Sequence, residues 1–187
     1  MTRIVAGTAG GRRLRVPPSG TRPTSDRVRE ALFSVVTSRW ELAGAHVLDL
    51  YAGSGALGLE ALSRGAERAL FVESDRTAAA VVRGNIANLG LSGAEVLVAP
   101  VARVLHRGET GAFDVVFSDP PYAMDAAAVA ADLRALVEYG WLRSGAVVVV
   151  ERSTRSPETP WPTGFVVASP RRYGETRIDV AVFDPHE

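Results

Sequence analysis

Cysteine and lysine are absent from the 187-residue sequence. Without cysteine, the chain can form no disulfide, has no thiolate nucleophile and cannot build a cysteine-ligated zinc site. The three histidines, His46, His106 and His186, are scattered along the chain. Because a metal site needs a cluster of ligands, we expect no bound metal.

The sequence also lacks a long apolar run. It contains no stretch of 18 apolar residues that could cross a bilayer, and no basic segment followed by an apolar one at its start, as in a secretory leader. We therefore expect a cytoplasmic protein. With 47% hydrophobic residues, the chain is long enough for one globular domain with a proper core and a small appendage.

Positive charge is concentrated near the N-terminus. All 21 basic residues are arginines, balanced by 21 acids, but residues 1–40 hold eight arginines against two acids, a net charge of +6 that leaves −6 for the rest. Such a segment is typical either of a solvated arm or of a nucleic-acid contact, and composition does not decide between them.

Turn residues and apolar spacing divide the chain into an N-terminal extension, residues 1–40, and a body, residues 41–187. In the extension, RIVAG and RRLRVP flank the turn TAGG and predict a short β-hairpin arm, residues 3–17. Pro23 and Ser25 or Asp26 then signal the start of a helix whose apolar stripe comprises Val28, Leu32, Val35, Val36 and Trp40. Because glycine and arginine dominate the arm and apolar residues are few, we expect it to be only partly ordered.

In the body, near-continuous apolar strands alternate with helices, which is typical of a doubly wound, mostly parallel α/β sheet covered on both faces. The predicted strands are 46–51, 68–73, 95–99, 113–118 and 146–151, and the predicted helices are about 56–64, 75–89, 101–107 and 125–139. The proline-rich SPETPWPTG, residues 156–164, predicts a loop. After it, GFVVAS and TRIDVAVF are separated by the turn-rich PRRYGE without a helix, and they predict an antiparallel pair that completes a seven-stranded, Rossmann-like sheet.

A glycine-rich turn follows the first predicted strand of the body. In VLDLYAGSGALGLEAL, Gly53, Gly55 and Gly58 fit the pattern G-x-G-x-x-G, and Glu73 follows Gly53 by 20 residues at the end of the next strand. This pattern fits a nicotinamide site, a site for another nucleoside cofactor, or a tight turn that merely requires glycine. Asp49 favours S-adenosylmethionine, because its carboxylate would repel a pyrophosphate but attract an ammonium and a sulfonium group.

The second motif, Asp119-Pro120-Pro121-Tyr122, follows the fourth predicted strand of the body. Its prolines have no backbone N–H, which leaves carbonyl acceptors beside one carboxylate and one ring. This combination suits a nucleobase with an exocyclic amine, since Asp119 and the Pro120 carbonyl could accept the amine N–H groups while Tyr122 stacks on the ring. The alternative is a Pro-Pro turn with a packed tyrosine. The location favours a site, because open α/β sheets bind ligands where the strand order reverses, beside strands one and four.

With these two motifs, the chain resembles the class I S-adenosylmethionine-dependent methyltransferases that act on amino groups, whose signature after strand four is [D/N/S]-P-P-[Y/F/W]. The chain also resembles one family more closely, the RsmD-type 16S rRNA guanine-N2 methyltransferases. Five segments carry this resemblance, in order and over nearly the whole chain: RIVAGTAGGRRLRVP, RPTSDRVREALFS, LDLYAGSGALGLEALSRGA, SDPPY and YGETRI. The resemblance implies a methyltransferase sheet with S-adenosylmethionine as methyl donor. It further implies guanine 966 of 16S rRNA as target, on an assembled or partly assembled 30S subunit with ribosomal proteins nearby.

The motifs and the resemblance together assign candidate roles. The candidate catalytic residues are Asp119, Pro120, Pro121 and Tyr122. Thr24 and Arg27 would close over the cofactor from the N-terminal side. The other candidate cofactor-binding residues are Asp49, Tyr51, Ala52, Gly53, Ser54, Gly55, Glu73, Ser74 and Val101. The candidate RNA-binding residues are Arg3, Arg12, Arg13, Arg15 and Arg22 near the N-terminus and Arg171 and Arg172 in the last hairpin turn.

One position departs from the resemblance. Many relatives carry an acid after strand three, near the adenine amine, whereas this chain has Pro100, Val101 and Ala102, so backbone or apolar contacts would hold the adenine.

Two other functions stay open. The tetrapeptide also serves adenine-N6 methyltransferases of DNA, although no separate target-recognition domain is evident here. A non-enzymatic nucleic-acid-binding module leaves Asp49, Glu73 and the tetrapeptide unexplained. We expect a monomer.

Overall fold

The computed structural model describes residues 2–18, 24–109 and 112–187, and these contain ten strands and five helices. The strands are β1 Thr2–Arg3, β2 Arg13–Leu14, β3 His46–Leu50, β4 Arg68–Glu73, β5 Ala94–Val98, β6 Phe113–Ser118, β7 Leu142–Ser153, β8 Phe165–Val167, β9 Arg171–Tyr173 and β10 Thr176–Phe183. The helices are α1 Asp26–Thr37, α2 Ala56–Ser63, α3 Arg76–Leu89, α4 Val101–Arg107 and α5 Ala126–Glu138.

The predicted mostly parallel sheet is confirmed. Its strand order is β5-β4-β3-β6-β7-β10-β8, with β9 also paired to β10. Strands β3 to β7 are parallel to one another, whereas β10 is antiparallel to β7, β8 and β9. The sheet has eight strands instead of the predicted seven, because two short strands share the position beside β10: β8 pairs with Ala181–Phe183 and β9 with Thr176–Ile178.

Helices cover both faces of the sheet, as the apolar strands predict. One core cluster joins α1, α2, α3 and the N-terminal hairpin to the sheet, with Phe33, Leu59 and Val82 fully buried. The other cluster joins α4 and α5 to the opposite face, with Leu105 and Leu136 fully buried. In the part of the chain that the structure describes, no helix is long and apolar enough to cross a membrane.

The N-terminal hairpin, β1 and β2, is tied down, contrary to the expectation of partial order. Its backbone N–H groups at Val5 and Ala6 donate to the buried Glu60 carboxylate at 2.9 and 3.0 Å. The N–H of Ala9 donates to Ser63 Oγ at 2.9 Å. Ile4 is also fully buried in the first core cluster. The sequence of the hairpin does not predict these hydrogen bonds, because their polar partners lie on α2, more than 50 residues further along the chain.

Helix α1 begins as predicted, with Ser25 Oγ accepting a hydrogen bond from the Val28 N–H at 3.2 Å. Its buried face includes the predicted Leu32 and Val36 but also Phe33 and Arg29. Arg29 is 0% exposed and lies 3.6 Å from the Glu60 carboxylate, which also pairs with Arg64. The hairpin, α1 and α2 therefore meet at one buried carboxylate.

Candidate active site

The candidate site lies at the carboxyl ends of β3, β4 and β6, where the strand order reverses between β3 and β6. A cavity of about 310 Å³ opens there. Its lining brings together most of the predicted catalytic and cofactor-binding residues, namely Thr24, Asp49, Tyr51, Ala52, Gly53, Ser54, Glu73, Ser74, Asp119, Pro120, Pro121 and Tyr122. Sequence reasoning missed six further lining residues, Thr2, Val16, Ala56, Leu57, Asp75 and Ala78.

Three predicted cofactor-binding residues do not line this cavity. Arg27 is exposed on α1. Val101, 5% exposed, begins α4 and belongs to the second core cluster. Gly55 caps α2 with a φ of +80°, and a Cβ at that position would lie 3.0 Å from Val82. Gly55 thus packs behind the loop and shapes it, and the cofactor contacts of Arg27 and Val101 stay predictions.

The glycine loop owes its shape to close packing and to Glu73. A Cβ on Gly58 would lie 2.4 Å from the Phe71 ring, so only glycine lets α2 approach β4 this closely. Glu73 accepts hydrogen bonds from the N–H groups of Gly53 and Asp75, both at 2.9 Å. Each carboxylate oxygen retains a free lone pair, so Glu73 is fixed in place and can still bind a ribose diol.

Asp49 is a buried carboxyl group at the end of β3. It is 1% exposed and accepts a hydrogen bond from the Gly58 N–H at 2.9 Å. The pKa of Asp49 is raised to about 8, chiefly by burial and also by the nearby Glu73 charge, while the Gly58 hydrogen bond opposes both. The group therefore favours a neighbouring positive charge.

Asp119 lies in a similar environment. Burial raises the pKa of Asp119 well above its ordinary value, with Glu151 and Asp49 adding to the shift and Arg152 opposing it. Glu151 follows Val150, which pairs with Ser118, so the two acids follow register partners on adjacent strands. Glu151 also accepts a hydrogen bond from Thr24 Oγ1 at 2.8 Å. The signal for Glu151 was an acid ending an apolar strand, the same signal that singled out Asp49.

The charge of the cavity discriminates between cofactors. Among its described lining residues, four are acids, Asp49, Glu73, Asp75 and Asp119, and none is basic. A pyrophosphate would find no basic side chain there, whereas a ligand with an ammonium and a sulfonium would be attracted. The residues present therefore fit S-adenosylmethionine. The described residues include no group of three or more histidines or acids placed to hold a metal ion.

The tetrapeptide forms a turn at the rim of the cavity. The Met124 N–H donates to the Pro121 carbonyl at 2.9 Å, which places Tyr122, 50% exposed, at the corner of the turn. Tyr122 also lines a second cleft of about 520 Å³, which includes Arg152 and Arg155. One exposed ring thus stands between the acidic cavity and an open cleft.

Tyr51 links the glycine loop to α5. Its φ of +59° is the one positive value among the described non-glycine residues, a conformation that costs about 1–3 kcal/mol for a bulky side chain. Its hydroxyl donates a short hydrogen bond to Asp132. Asn85, 1% exposed, fixes the same loop from the other side by donating to the Ser54 carbonyl at 2.9 Å. No sequence motif predicts either of these hydrogen bonds, from Tyr51 to Asp132 or from Asn85 to Ser54.

The predicted RNA-binding arginines are dispersed. Arg3, Arg12, Arg13 and Arg15 are exposed on the hairpin arm, and Arg12 donates to the Asn88 carbonyl at 2.5 Å. Arg22 lies outside the described residues. Arg171 and Arg172 were expected in the last turn, but they form β9, because the chain turns at Gly174 and Glu175. Both are exposed.

The doubly wound sheet with a terminal antiparallel pair, and an acidic cavity at its switch point, are the features of a class I methyltransferase. A family model described as conserved hypothetical protein 95 matches residues 2–182. The chain is 41% identical over 162 residues to ribosomal RNA small subunit methyltransferase D of Haemophilus influenzae, covering 83% of this chain and 80% of that protein. It is 37% identical over 184 residues to YlbH of Bacillus subtilis, covering 95% and 97%.

Solved structures agree with this result. The Escherichia coli protein yhhF superposes with a TM-score of 0.87 at 33% identity, covering 98% of both chains. The chain therefore belongs to the RsmD family of S-adenosylmethionine-dependent methyltransferases, and the resemblance seen in the sequence is confirmed.

Proposed function

We propose that this protein transfers a methyl group from S-adenosylmethionine to the exocyclic N2 of a guanine in 16S rRNA, at the position of guanine 966, on the assembled or assembling 30S subunit. The observation that carries the proposal is the acidic cavity that ends at Asp119 and Tyr122. The name of the Haemophilus influenzae relative, a ribosomal RNA small subunit methyltransferase, supports the choice of rRNA.

Residues of the cavity would hold the cofactor and the base in separate places. S-adenosylmethionine, when bound, supplies an electrophilic methyl group. Glu73 would bind the ribose hydroxyls, and Asp49 would attract the positive charge. Asp119 and the Pro120 carbonyl would accept the amine N–H groups, which directs the nitrogen lone pair toward the methyl. The Asp119 carboxylate would then stabilise the positive charge that develops on the nitrogen.

Tyr122 would stack on the target base, since its exposed ring separates the cofactor cavity from the open cleft. A base on this ring would place its amine beside Asp119 while its sugar and phosphate stay in the cleft. The exposed arginines of the arm, with those of β9, would contact RNA phosphates. In this proposal, residues 1–40 serve as an RNA-binding extension of a methyltransferase domain at 41–187.

Methyl transfer to three substrates tests the proposal. Labelled S-adenosylmethionine is incubated with unmodified 30S particles, naked 16S rRNA and DNA, and the nucleosides are then analysed. We expect N2-methylguanosine from the particle and a loss of about 100-fold or more with Asp119→Ala, because both amine positioning and charge stabilisation disappear. N6-methyladenine in DNA or RNA, or no label despite cofactor binding, would contradict the proposal.

A further inference from the structure

The loop that carries the tetrapeptide has few backbone hydrogen bonds of its own. Pro120 and Pro121 have no N–H to donate. Within the described residues, the loop makes two weak or local backbone bonds, from the Asp119 N–H to Leu50 at 3.4 Å and from the Met124 N–H to the Pro121 carbonyl at 2.9 Å. Its carbonyl groups must therefore be satisfied by donors from elsewhere.

Arg152, near the end of β7, supplies these donors. Its side chain is buried, with the residue 4% exposed. Nη2 donates to the Met124 carbonyl at 2.6 Å, and Nη1 lies 3.4 Å from the Pro121 carbonyl. One rigid guanidinium thus contacts both ends of the turn that holds Tyr122, an arrangement that a flexible lysine cannot reproduce.

The charge of Arg152 also acts on the catalytic acid. Three influences raise the pKa of Asp119, namely its burial, Glu151 on β7 and Asp49 on β3, and Arg152 opposes them. Among the groups facing Asp119, Arg152 is thus the cation that favours the carboxylate form, which can accept an amine N–H.

We propose that Arg152 is a positioning residue for methyl transfer, which holds the Pro121–Met124 turn, and with it Tyr122 and the adjoining Asp119, in place. This inference rests on the proposed function, since it assigns Arg152 a role in the same reaction. Arg152 contacts the carbonyls of the loop, and through them it acts on the placement of Tyr122 and Asp119.

The fold provides a matched control in Arg177. This residue is the register partner of Arg152 on β10 and is equally buried at 4% exposure. Its guanidinium donates to the carbonyls of Ser156 and Pro157, both at 2.8 Å, and pairs with the buried Asp179 at 3.0 Å. Its replacement therefore also removes a buried ion pair, which makes it the stricter control for a general folding defect. Replacing it removes a buried arginine that holds a neighbouring loop but leaves the tetrapeptide loop untouched.

The test compares Arg152→Met, Arg152→Lys and Arg177→Met in the methyl-transfer assay. For Arg152→Met we expect kcat to fall about 10- to 100-fold, because small displacements of a reacting group have effects of this size. The dissociation constant for S-adenosylmethionine should change less than twofold. The acid limb of the pH profile should move to higher pH, since Asp119 loses the cation that favours its ionised form.

Arg152→Lys separates charge from geometry. It keeps the positive charge, so the acid limb should stay at its wild-type pH while kcat remains reduced. Arg177→Met should leave both the acid limb and kcat per folded molecule near wild type. Equal losses in Arg152→Met and Arg177→Met with an unmoved acid limb would overturn the inference, as would full activity in Arg152→Met.

A crystal structure of an Arg152 variant supplies a readout that does not depend on activity. We expect residues 121–124 to be displaced in Arg152→Met or, if that variant does not fold, in Arg152→Lys. A turn that superposes on the wild type would overturn the inference whatever the assay shows. Wild-type protein that is inactive on every RNA and DNA substrate contradicts the proposed function instead, so the two failures are distinguishable.

Discussion

At the residue scale, the ionisation of Asp49 affects the stability of the folded protein, and it would also affect the binding of a cationic ligand. Its pKa of about 8 in the folded chain exceeds the value near 4 of an unfolded aspartate. A group whose pKa is raised by folding contributes stability that is fully present below about pH 4 and is lost as the pH rises toward 8. Above about pH 8, the ligand-free protein therefore holds a destabilising buried charge.

Asp49→Asn removes that charge while keeping an oxygen that can accept the Gly58 N–H. We expect the ligand-free variant to unfold several degrees above wild type at pH 8.5, at about 2–4 °C for each kcal/mol recovered, with a much smaller gain at pH 5.0, where less of the stability has been lost. Stabilisation by S-adenosylmethionine should disappear, because the carboxylate that attracts its positive charge is gone. Thermal unfolding at the two pH values, with and without ligand, measures both effects.

The control for this prediction is Asp75→Asn, which alters an exposed acid of the same cavity that caps α3. Asparagine caps helices as well as aspartate does, so its unfolding temperature should show little of the pH-dependent gain. An Asp49→Asn protein that is less stable than wild type at pH 8.5, or that is still stabilised fully by S-adenosylmethionine, would contradict the assignment.

The sequence shows which acidic residues meet at the cavity, because they belong to recognisable motifs. Asp49, Glu73 and Asp119 stand out because acids at strand ends interrupt apolar runs, and all three line the cavity. Arg152 stands at a similar strand end and escapes notice, because its partners are carbonyl groups and any residue type supplies a carbonyl. Val101 was assigned to the cofactor by analogy of position, but its apolar side chain packs in the core.

At the element scale, α2 anchors the N-terminal hairpin and α1 through Glu60. This carboxylate accepts the Val5 and Ala6 N–H groups and pairs with Arg29 and Arg64. Glu60 and Arg29 are both 0% exposed. Removing one member of a buried ion pair leaves the other charge unpaired away from water, which typically costs about 3–5 kcal/mol.

Glu60→Ala should therefore lower the free energy of unfolding by about 3–5 kcal/mol and release the hairpin. Trypsin cleaves after arginine, so the arm should be cut at Arg12 or Arg13 much faster in the variant. Urea unfolding and timed digestion, followed by mass spectrometry, measure the two effects. Ser63→Ala removes the hydroxyl that accepts from the Ala9 N–H and donates to the Ala6 carbonyl, but no charge, so it should lie between wild type and Glu60→Ala. Equal digestion rates in all three proteins would show that Glu60 does not anchor the arm.

Most element boundaries follow from the sequence, because apolar runs and caps are local signals. The chief exceptions depend on contacts between distant segments. Strand β7 begins at Leu142, ahead of the predicted residue 146, with a register shift opposite Phe113 and Val115 that sequence cannot show. The short β9 exists only because β10 extends past β8 and offers a free edge.

At the scale of the whole molecule, the net charge is zero, but basic and acidic residues are concentrated in different places. The N-terminal extension is basic while the cofactor cavity is acidic, so RNA phosphates and a cationic cofactor would be drawn to different places. If the extension binds RNA as proposed, RNA binding would depend measurably on salt.

Arg13→Ala combined with Arg15→Ala should lower the slope of log K for rRNA against log salt by about 1.5, since each phosphate contact contributes roughly 0.7–0.9. The charge-matched control is Arg103→Ala with Arg107→Ala, two exposed arginines on α4, and its slope should match wild type. Filter binding at four or more salt concentrations gives both slopes. A larger change in the α4 variant would move the RNA surface away from the hairpin.

The acidic cavity also has a consequence for turnover. Under the proposed reaction, the ligand that leaves has lost the sulfonium charge of the ligand that arrived, while Asp49, Glu73 and Asp119 remain where they were. One attraction therefore disappears with each methyl transferred. The same carboxylates that admit the donor hold the spent product less tightly, so completing the chemistry itself favours product release.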